Sequence, residues 1–556
     1  MTFLLFALAW LLPNHYPPWT NFHSEVVAFT ALGCLALPLF KHSHNSFFAP
    51  AISIASLLLV AVPWLQFALG LVFFAGDAFI SAFYAAGFTL AIILGYSCSE
   101  HCISSSGCLW PLPAHALLTA ASLSALLAVL QWLSLTDDFT IFVAVTDIGD
   151  RAMANLGQPN QLGTLLLMGL VALTQMFEMR KISNLLLVVC GVFLTWAIVL
   201  TESRTAIMSA LITAGFLFYK IRSRGRLGMP LRLQNTHVLL WLALFWAAAL
   251  CAPVVNSALL LSGDRQIELL DNNGRFAIWL QTLHAVYMSP WVGYGWNQTP
   301  IAQAVGALHR PGDLAFTSAH NVLLDLFAWA GLPLGLSMAV GFGYWLYTRA
   351  RMVKTTESVY ALAMLLPFLV HSMLEFPFAY AYFLLMAGLL IGVVESEFAM
   401  THRFVVPKPV AAFGLAVMTA VGGYSAYEYF SIEEDYRVAR FENLKVGRTP
   451  EDYVRPDILI HTQLAAMLAT LRQPAVPNMT SEQVERLRKV SLRFGARTIV
   501  YRYAVSLGLN GQPTAAAHQM LIFKGMFGER PYQRFKLELR KLQAEKYPEL
   551  AAVILP

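Results

Sequence analysis

Charge is what this 556-residue sequence has least of. Its 37 Lys and Arg and 32 Asp and Glu make up 12% of the chain, about half the share of an average soluble protein. With 57% hydrophobic residues, the chain is neither an ordinary water-soluble enzyme nor a disordered one. Six cysteines are too few for a disulfide framework. A net charge of +5 is too modest to argue for nucleic acid. There is no P-loop, no G-x-S-x-G elbow and no dinucleotide glycine fingerprint. The longest loop between hydrophobic runs carries no D-x-D pair, which disfavours nucleotide-sugar chemistry on a bound divalent metal. Cys98, Cys102 and Cys108 cluster beside His101, but their spacing matches no zinc pattern. Cys34, Cys190 and Cys251 fall in or at the ends of apolar runs and read as small buried hydrophobes. No metal and no cofactor are expected.

What charge there is lies unevenly. Residues 428–556 hold 33 of the 69 charged residues and all of the net positive charge. The long first part therefore reads as membrane-spanning and the tail as a water-soluble domain. A helix needs about 20 apolar residues to cross a bilayer. Candidate runs fall near 2–13, 26–40, 48–69, 77–96, 114–133, 160–177, 184–201, 205–220, 237–261, 320–347, 358–376, 378–396 and 405–427. The first is short, and it lacks the basic front and cleavage site of a signal peptide, so it reads as an anchor. The expected fold is all-α and polytopic, with about 12–13 transmembrane helices. Residues 1–261 and 320–427 form the membrane part, 262–319 a long outer loop, and 428–556 a soluble helical domain.

Sidedness follows from the Lys and Arg of the short loops. Loops 41–47, 178–183, 220–236, 348–357 and 397–404 carry Lys41, Arg180, Lys181, the run KIRSRGR with Arg232, Arg349, Arg351, Lys354 and Arg403. The opposite loops, 14–25, 70–76, 134–159 and 262–319, hold only Arg151, Arg265, Arg275 and Arg310. The first set is expected in the cytoplasm, and the tail and the long loop on the outer side. A connection as long as 262–319, with aromatics, glycine turns and arginines, is where chemistry is expected.

Charged groups at membrane boundaries are costly and mark function. Four constellations stand out. In Thr201-Glu202-Ser203-Arg204-Thr205, Arg204 reads either as a phosphate clamp or as an interfacial arginine paired with Glu202. Asn273-Gly274-Arg275 opens an amphipathic stretch suited to a helix on the membrane surface. It precedes Gly293-Tyr294-Gly295-Trp296-Asn297, whose aromatics suit either a sugar groove or the interface. In Thr317-Ser318-Ala319-His320-Asn321, His320 is a candidate general base, with Ser318 or Asn321 placed to orient it, or else a structural polar residue. His371 and Glu375, spaced to share a helix face, suit a carboxylate–imidazole pair or a buried structural pair. Without a third ligand they do not make a zinc site.

In the tail, Ser481 with Glu482 and Glu485 resembles a helix start. Residues 499–527 read as two helices around Asn510-Gly511-Gln512-Pro513, with Ala504, Ala516 and Ala517 at packing positions. That is one tetratricopeptide-like hairpin, either a protein-docking unit or a helical cap.

Taken together, the segments NLGQPNQLGTLL (155–166), ESRTA (202–206), GRFAIW (274–279), VGYGWNQ (292–298), SAHNVLLDLFAWAGLPLG (318–335) and HSMLEFPFAYAYFLL (371–385) resemble the PglL family of bacterial O-oligosaccharyltransferases. That family shares a membrane core with O-antigen ligases and Wzy-type polymerases; the first span here is shorter than usual for it. The resemblance implies a GT-C-like fold in the bacterial inner membrane with its site facing the periplasm. It implies transfer of a preassembled glycan from undecaprenyl pyrophosphate to a Ser or Thr hydroxyl of an exported protein, often a pilin. His320 would be the essential histidine, with Arg204 and Arg275 on the pyrophosphate. Asn160, Gln161, Tyr294, Asn321, His371 and Glu375 would line the substrate site. Expected partners are the lipid-linked oligosaccharide, the acceptor protein and membrane lipids, with no nucleic acid. An O-antigen ligase acting on a lipid A-core sugar, or a polymerase acting on a second lipid-linked glycan, would use the same residues. A transporter would place its charges nearer mid-span.

Overall fold

A computed structural model of the chain describes residues 2–42, 46–104, 112–139, 141–146, 150–227, 229, 231–261, 274–398 and 403–555. Cys108, Arg265 and Asn273 lie outside the described residues, as do the side chains of His101 and Cys102.

The chain is helical nearly throughout. Its first half holds α1 (Thr2–Leu11), α2 (Phe22–His42), α3 (Ala51–Ala68), α4 (Ala75–Ser104), α5 (Leu112–Trp132) and α6 (Pro159–Glu178). Then come α7 (Asn184–Leu200), α8 (Arg204–Leu227), α9 (Asn235–Ala258), α10 (Arg275–Met288) and α11 (Thr299–Ala307). The membrane part closes with α12 (Val322–Met352), α13 (Thr356–Ser372), α14 (Ala381–Ser396) and α15 (Lys408–Leu444). The tail is α16 (Thr462–Arg472), α17 (Ser481–Phe494), α18 (Arg497–Leu509), α19 (Pro513–Phe527) and α20 (Glu529–Glu545). β1 (Ser46–Pro50) and β2 (Arg403–Pro407) form one short antiparallel pair in which Phe48 faces Val405.

Each of the thirteen expected spans coincides with a helix. Among the described residues nine helices are long and apolar enough to cross a membrane, and α1, α7 and α14 are shorter apolar helices. Large apolar side chains stand exposed on α7 and α9, with Leu185 74%, Leu250 76% and Val254 70% accessible. Such faces are untenable in water and ordinary in lipid. The protein is a multi-pass membrane protein. Cys251 belongs to this exposed set and Cys34 and Cys190 are half-buried, so the expectation of burial fails for all three: in lipid an apolar run need not be an inward one.

The chain divides into two compact units. The first comprises 1–58, 84–271 and 343–419; the second comprises 59–83, 272–342 and 420–556. In the first, α6 is almost wholly buried and its neighbours approach through small residues. A Cβ on Gly169 would come within 2.2 Å of Ala121, and one on Gly392 within 2.1 Å of the Ile92 carbonyl. Backbone approach of this kind is how helices associate where lipid competes for every apolar surface. One end of this unit gathers the basic loops. Lys220, fully buried, donates to the carbonyls of Arg351 and Val353 at 3.2 and 2.8 Å. Arg349 grips Glu395 with two bonds of 2.6 and 3.1 Å.

The second unit joins the long loop, the tail and residues 59–83. Asp77 forms a two-pronged pair with Arg493 of α17 at 2.9 and 2.8 Å, and Gly76 N–H donates to Thr462 of α16 at 2.9 Å. The expected boundary at 427/428 falls inside the unbroken α15, and this unit takes up that helix at Ala420. The hairpin at 510–513 is present as α18 and α19, with Ala504 and Ala516 buried. Thr480, not Ser481, caps α17: its hydroxyl accepts Gln483 N–H at 3.2 Å while the Gln483 side chain accepts Thr480 N–H at 2.9 Å. A glutamine three residues after the cap completes that box for Thr480; the acidic residues after Ser481 do not.

Candidate active site

The residues singled out from sequence fall into two groups, one in each unit. In the first unit the frame is α6, which Pro159 starts at its first turn after Gly157 in the left-handed region. Asn160 and Thr164 stand one turn apart on it and reach two different segments. The Asn160 side-chain oxygen accepts from the Ser203 hydroxyl at 2.6 Å and from Arg151 at 3.3 Å, and its amide donates to Glu375 at 3.4 Å. Thr164 bonds His371 Nδ1 at 2.9 Å. Next to Asn160, Gln161 accepts from the Tyr382 hydroxyl at 3.1 Å.

His371 and Glu375, expected on one helix face, fall on either side of the end of α13. α13 ends at Ser372, and Glu375 lies in the turn beyond it, with its N–H on the His371 carbonyl at 2.8 Å. Pro377 bars its predecessor from helical geometry, so the helix stops short. Both residues are also tied to α6, Glu375 through Asn160 and His371 through Thr164.

Arg204 is the first residue of α8. Ser203 caps that helix by accepting Ala206 N–H at 3.0 Å, and Glu202 turns the chain with a φ of 45°. Arg151 holds the same turn by donating to the Thr201 carbonyl at 2.8 Å. This bracing role of Arg151 lies beyond the loop orientation it was expected to mark; its signal in the chain is an isolated arginine nine residues before Asn160.

In the second unit the centre is a residue the sequence analysis passed over, Asp325. It is fully buried in the first turn of α12 and accepts three hydrogen bonds. They come from the Thr299 hydroxyl at 2.8 Å, the Ser318 hydroxyl at 2.6 Å and Ala319 N–H at 2.9 Å. Trp329 donates in turn to Thr299 at 2.7 Å. A buried carboxylate survives only with such satisfaction, and hydroxyl–carboxylate bonds are among the stronger kind. Its signal was a lone Asp in the otherwise apolar run VLLDLFAWAG.

His320 follows this knot half-exposed, with a φ of 53° in the left-handed region. That backbone is costly for a residue with a Cβ and is found where surroundings over-determine it. Ser318 and Asn321 both have backbone roles here. The Ser318 hydroxyl is given to Asp325 and accepts His320 N–H at 3.1 Å, so it fixes the backbone. The Asn321 side-chain oxygen caps α12 by accepting Leu323 and Leu324 N–H at 3.0 and 3.2 Å.

α12 is broken at Gly331, with φ 74° and ψ 172°. A Cβ there would lie 2.4 Å from the Trp291 carbonyl oxygen. The 290–295 turn satisfies the polar groups the break releases. Tyr294 N–H donates to the Ala328 carbonyl at 2.7 Å, Gly295 N–H to that of Trp329 at 3.1 Å, and Leu332 N–H to that of Pro290 at 2.7 Å. Tyr294 commits its hydroxyl to the Ala285 carbonyl at 2.7 Å, and burial pushes its phenol up to about 12. Arg275, half-exposed, is the first residue of α10, after Gly274 in the left-handed region.

Residues 189–339 match the family model described as O-Antigen ligase, and residues 359–541 the one described as virulence factor membrane-bound polymerase, C-terminal. A general O-oligosaccharyltransferase of Acinetobacter baylyi (strain ATCC 33305 / BD413 / ADP1) is 30% identical over 533 residues, covering 94% of this chain and 90% of that protein. The chain belongs to the O-oligosaccharyltransferase family. A ComP-specific O-oligosaccharyltransferase of the same strain is 27% identical over 395 residues, 70% of this chain and 69% of that protein. The enzyme is thus a glycosyltransferase that attaches glycans to proteins through oxygen. Its Arg204, Arg275 and His320 all lie within the stretch matched by the ligase model, and His371, Glu375 and most of the tail within the second.

Proposed function

We propose that the enzyme transfers a preassembled oligosaccharide in one displacement from undecaprenyl pyrophosphate to a Ser or Thr hydroxyl of an exported, pilin-like protein. It works in the bacterial inner membrane with its site toward the periplasm, the side on which the scarce arginines of the outer loops fall. His320 takes the proton as the acceptor oxygen bonds to the sugar C1. The C1–O bond to the carrier breaks, and the pyrophosphate leaves with the electron pair. A serine hydroxyl is a poor nucleophile, and a positioned base is worth ~10²–10⁴-fold in such steps.

The observation that carries this reading is the Asp325 knot beside His320, built in a chain of this family. Few structural needs explain a strained, half-exposed histidine anchored so firmly at a helix mouth. A second feature supports the arginines. Arg204 and Arg275 each begin a helix, the end at which a cation meets the positive pole of the helix dipole. A pyrophosphate makes that placement favourable, adding its charge to the guanidinium fork and the N–H groups of the first turn. Asn160, Gln161, His371 and Glu375 then shape the donor side around Arg204, and Tyr294 and Asn321 the side around His320.

The test is reconstitution of the purified enzyme with an undecaprenyl-pyrophosphate-linked glycan and a pilin-like acceptor, read as a mass shift on the protein. A second reading, transfer to a lipid A-core sugar, draws on the match of residues 189–339 to the ligase model. Supplying both acceptors in one vesicle separates them: glycan on lipopolysaccharide and none on protein rejects the first reading.

A further inference from the structure

Behind the His320 turn stands α11, and behind α11 stands the tail. This nine-residue helix holds the chain leading into His320 at several points. Thr299, its first residue, reaches Ser318 and Ala319 through the shared carboxylate of Asp325. Gln303, one turn on, accepts Phe316 N–H at 3.0 Å and donates to the Leu314 carbonyl at 2.8 Å. The same amide spans to Gln281 of α10 at 3.3 Å.

The tail grips both ends of α11. At its C-terminal end, Gly525 of α19 lies so close that a Cβ would come within 2.4 Å of the Ala307 carbonyl oxygen. The Gly525 carbonyl also accepts Gly312 N–H at 2.8 Å. At its N-terminal end, Gly495, which ends α17, faces Pro300 in ordinary van der Waals contact, its Cβ position 3.4 Å away. α17 is itself anchored by the Arg493–Asp77 pair, whose side chains are 15% and 2% exposed.

We propose that the C-terminal helical tail is a positioning element for the catalytic base: it sets α11, and α11 sets the angle at which His320 leaves its turn. This rests on the reading of His320 as the base. Thr299, Gln303 and Gly525 are its positioning residues, none of them touching the reacting atoms. Misplacing a catalytic group by about 1 Å costs about 10²-fold in rate, so contacts made far from the glycan govern turnover. A tail that docks the acceptor would act differently: it would lower the acceptor KM and leave kcat alone.

The experiment uses full-length enzyme in vesicles with lipid-linked glycan and acceptor, comparing Thr299→Val, Gln303→Met and Gly525→Val with the parent. The expected result is a kcat at least tenfold lower in each, with acceptor KM within twofold and Thr299→Ser restoring most of the rate. Gly525→Ala separates the same contact by less and gives a smaller kcat loss with the same unchanged KM. It carries the comparison if Gly525→Val does not insert. A raised acceptor KM with parental kcat in the Gly525 variants overturns the proposal in favour of docking. Parental kcat in Thr299→Val and Gln303→Met overturns it as well. His320→Ala serves as the separate control: full activity there removes the base, while its loss beside active Gly525 variants removes only the role of the tail.

Discussion

His371 and His320 each bond a neighbouring hydroxyl in this enzyme, and they differ in almost everything else. His371 is fully buried in the last turn of a regular helix, held at Nδ1 by Thr164. His320 is half-exposed, precedes its helix and has a left-handed backbone fixed by Ser318 and Asp325. In the first case the protein bonds the imidazole and leaves the backbone relaxed. In the second it fixes the backbone and leaves the imidazole partly accessible. On the proposed function the second pattern suits the proton-accepting group, which must reach its substrate, and the first a residue that shapes the site from within the fold.

Substitution should break the comparison open. The largest effect is expected from His320→Ala, a loss of about 10²–10⁴-fold in transfer rate with the protein still inserted, read by mass shift on the acceptor. Arg275→Lys should come next. Lysine keeps the charge but loses the fork, and donor turnover should fall by about tenfold to a hundredfold in the same assay. Smallest in rate, and opposite in kind, is Thr164→Val. It deprives His371 of its hydroxyl partner and should cost about 1–3 kcal/mol of stability in detergent melting. Its kcat should stay within about threefold of the parent. A Thr164→Val enzyme as slow as His320→Ala would erase the distinction.

Much of this was readable from the chain. All thirteen apolar runs became helices, because a segment that must satisfy its backbone in lipid has little other choice. The motif positions around Arg204, Arg275 and His320 were visible as charges where charge is rare. What stayed hidden depends on distance along the chain. Asp325 draws on Thr299, 26 residues away, and nothing in local spacing marks that pairing. Residues 59–83 join the tail through Asp77 and Gly76, across 416 and 386 positions. That α13 ends before Glu375 has a local reason that was present in the sequence, the proline at 377. α11 also left a trace, in Thr299-Pro300 ahead of a run of small residues, the usual chemistry of a helix start.

The break at Gly331 has a consequence for depth. Hydropathy reads 320–347 as a single crossing, yet the helix is two pieces. The stretch from Leu332 to Met352 alone rises about 31 Å at 1.5 Å per residue, which matches the thickness of a hydrocarbon layer. The short piece before it is surplus to the crossing. On the proposed function that surplus is a plinth: it would lift the His320 turn clear of the oily layer to the level where lipid head groups meet water. There a lipid-linked donor and a water-borne hydroxyl would both arrive without either leaving its own phase.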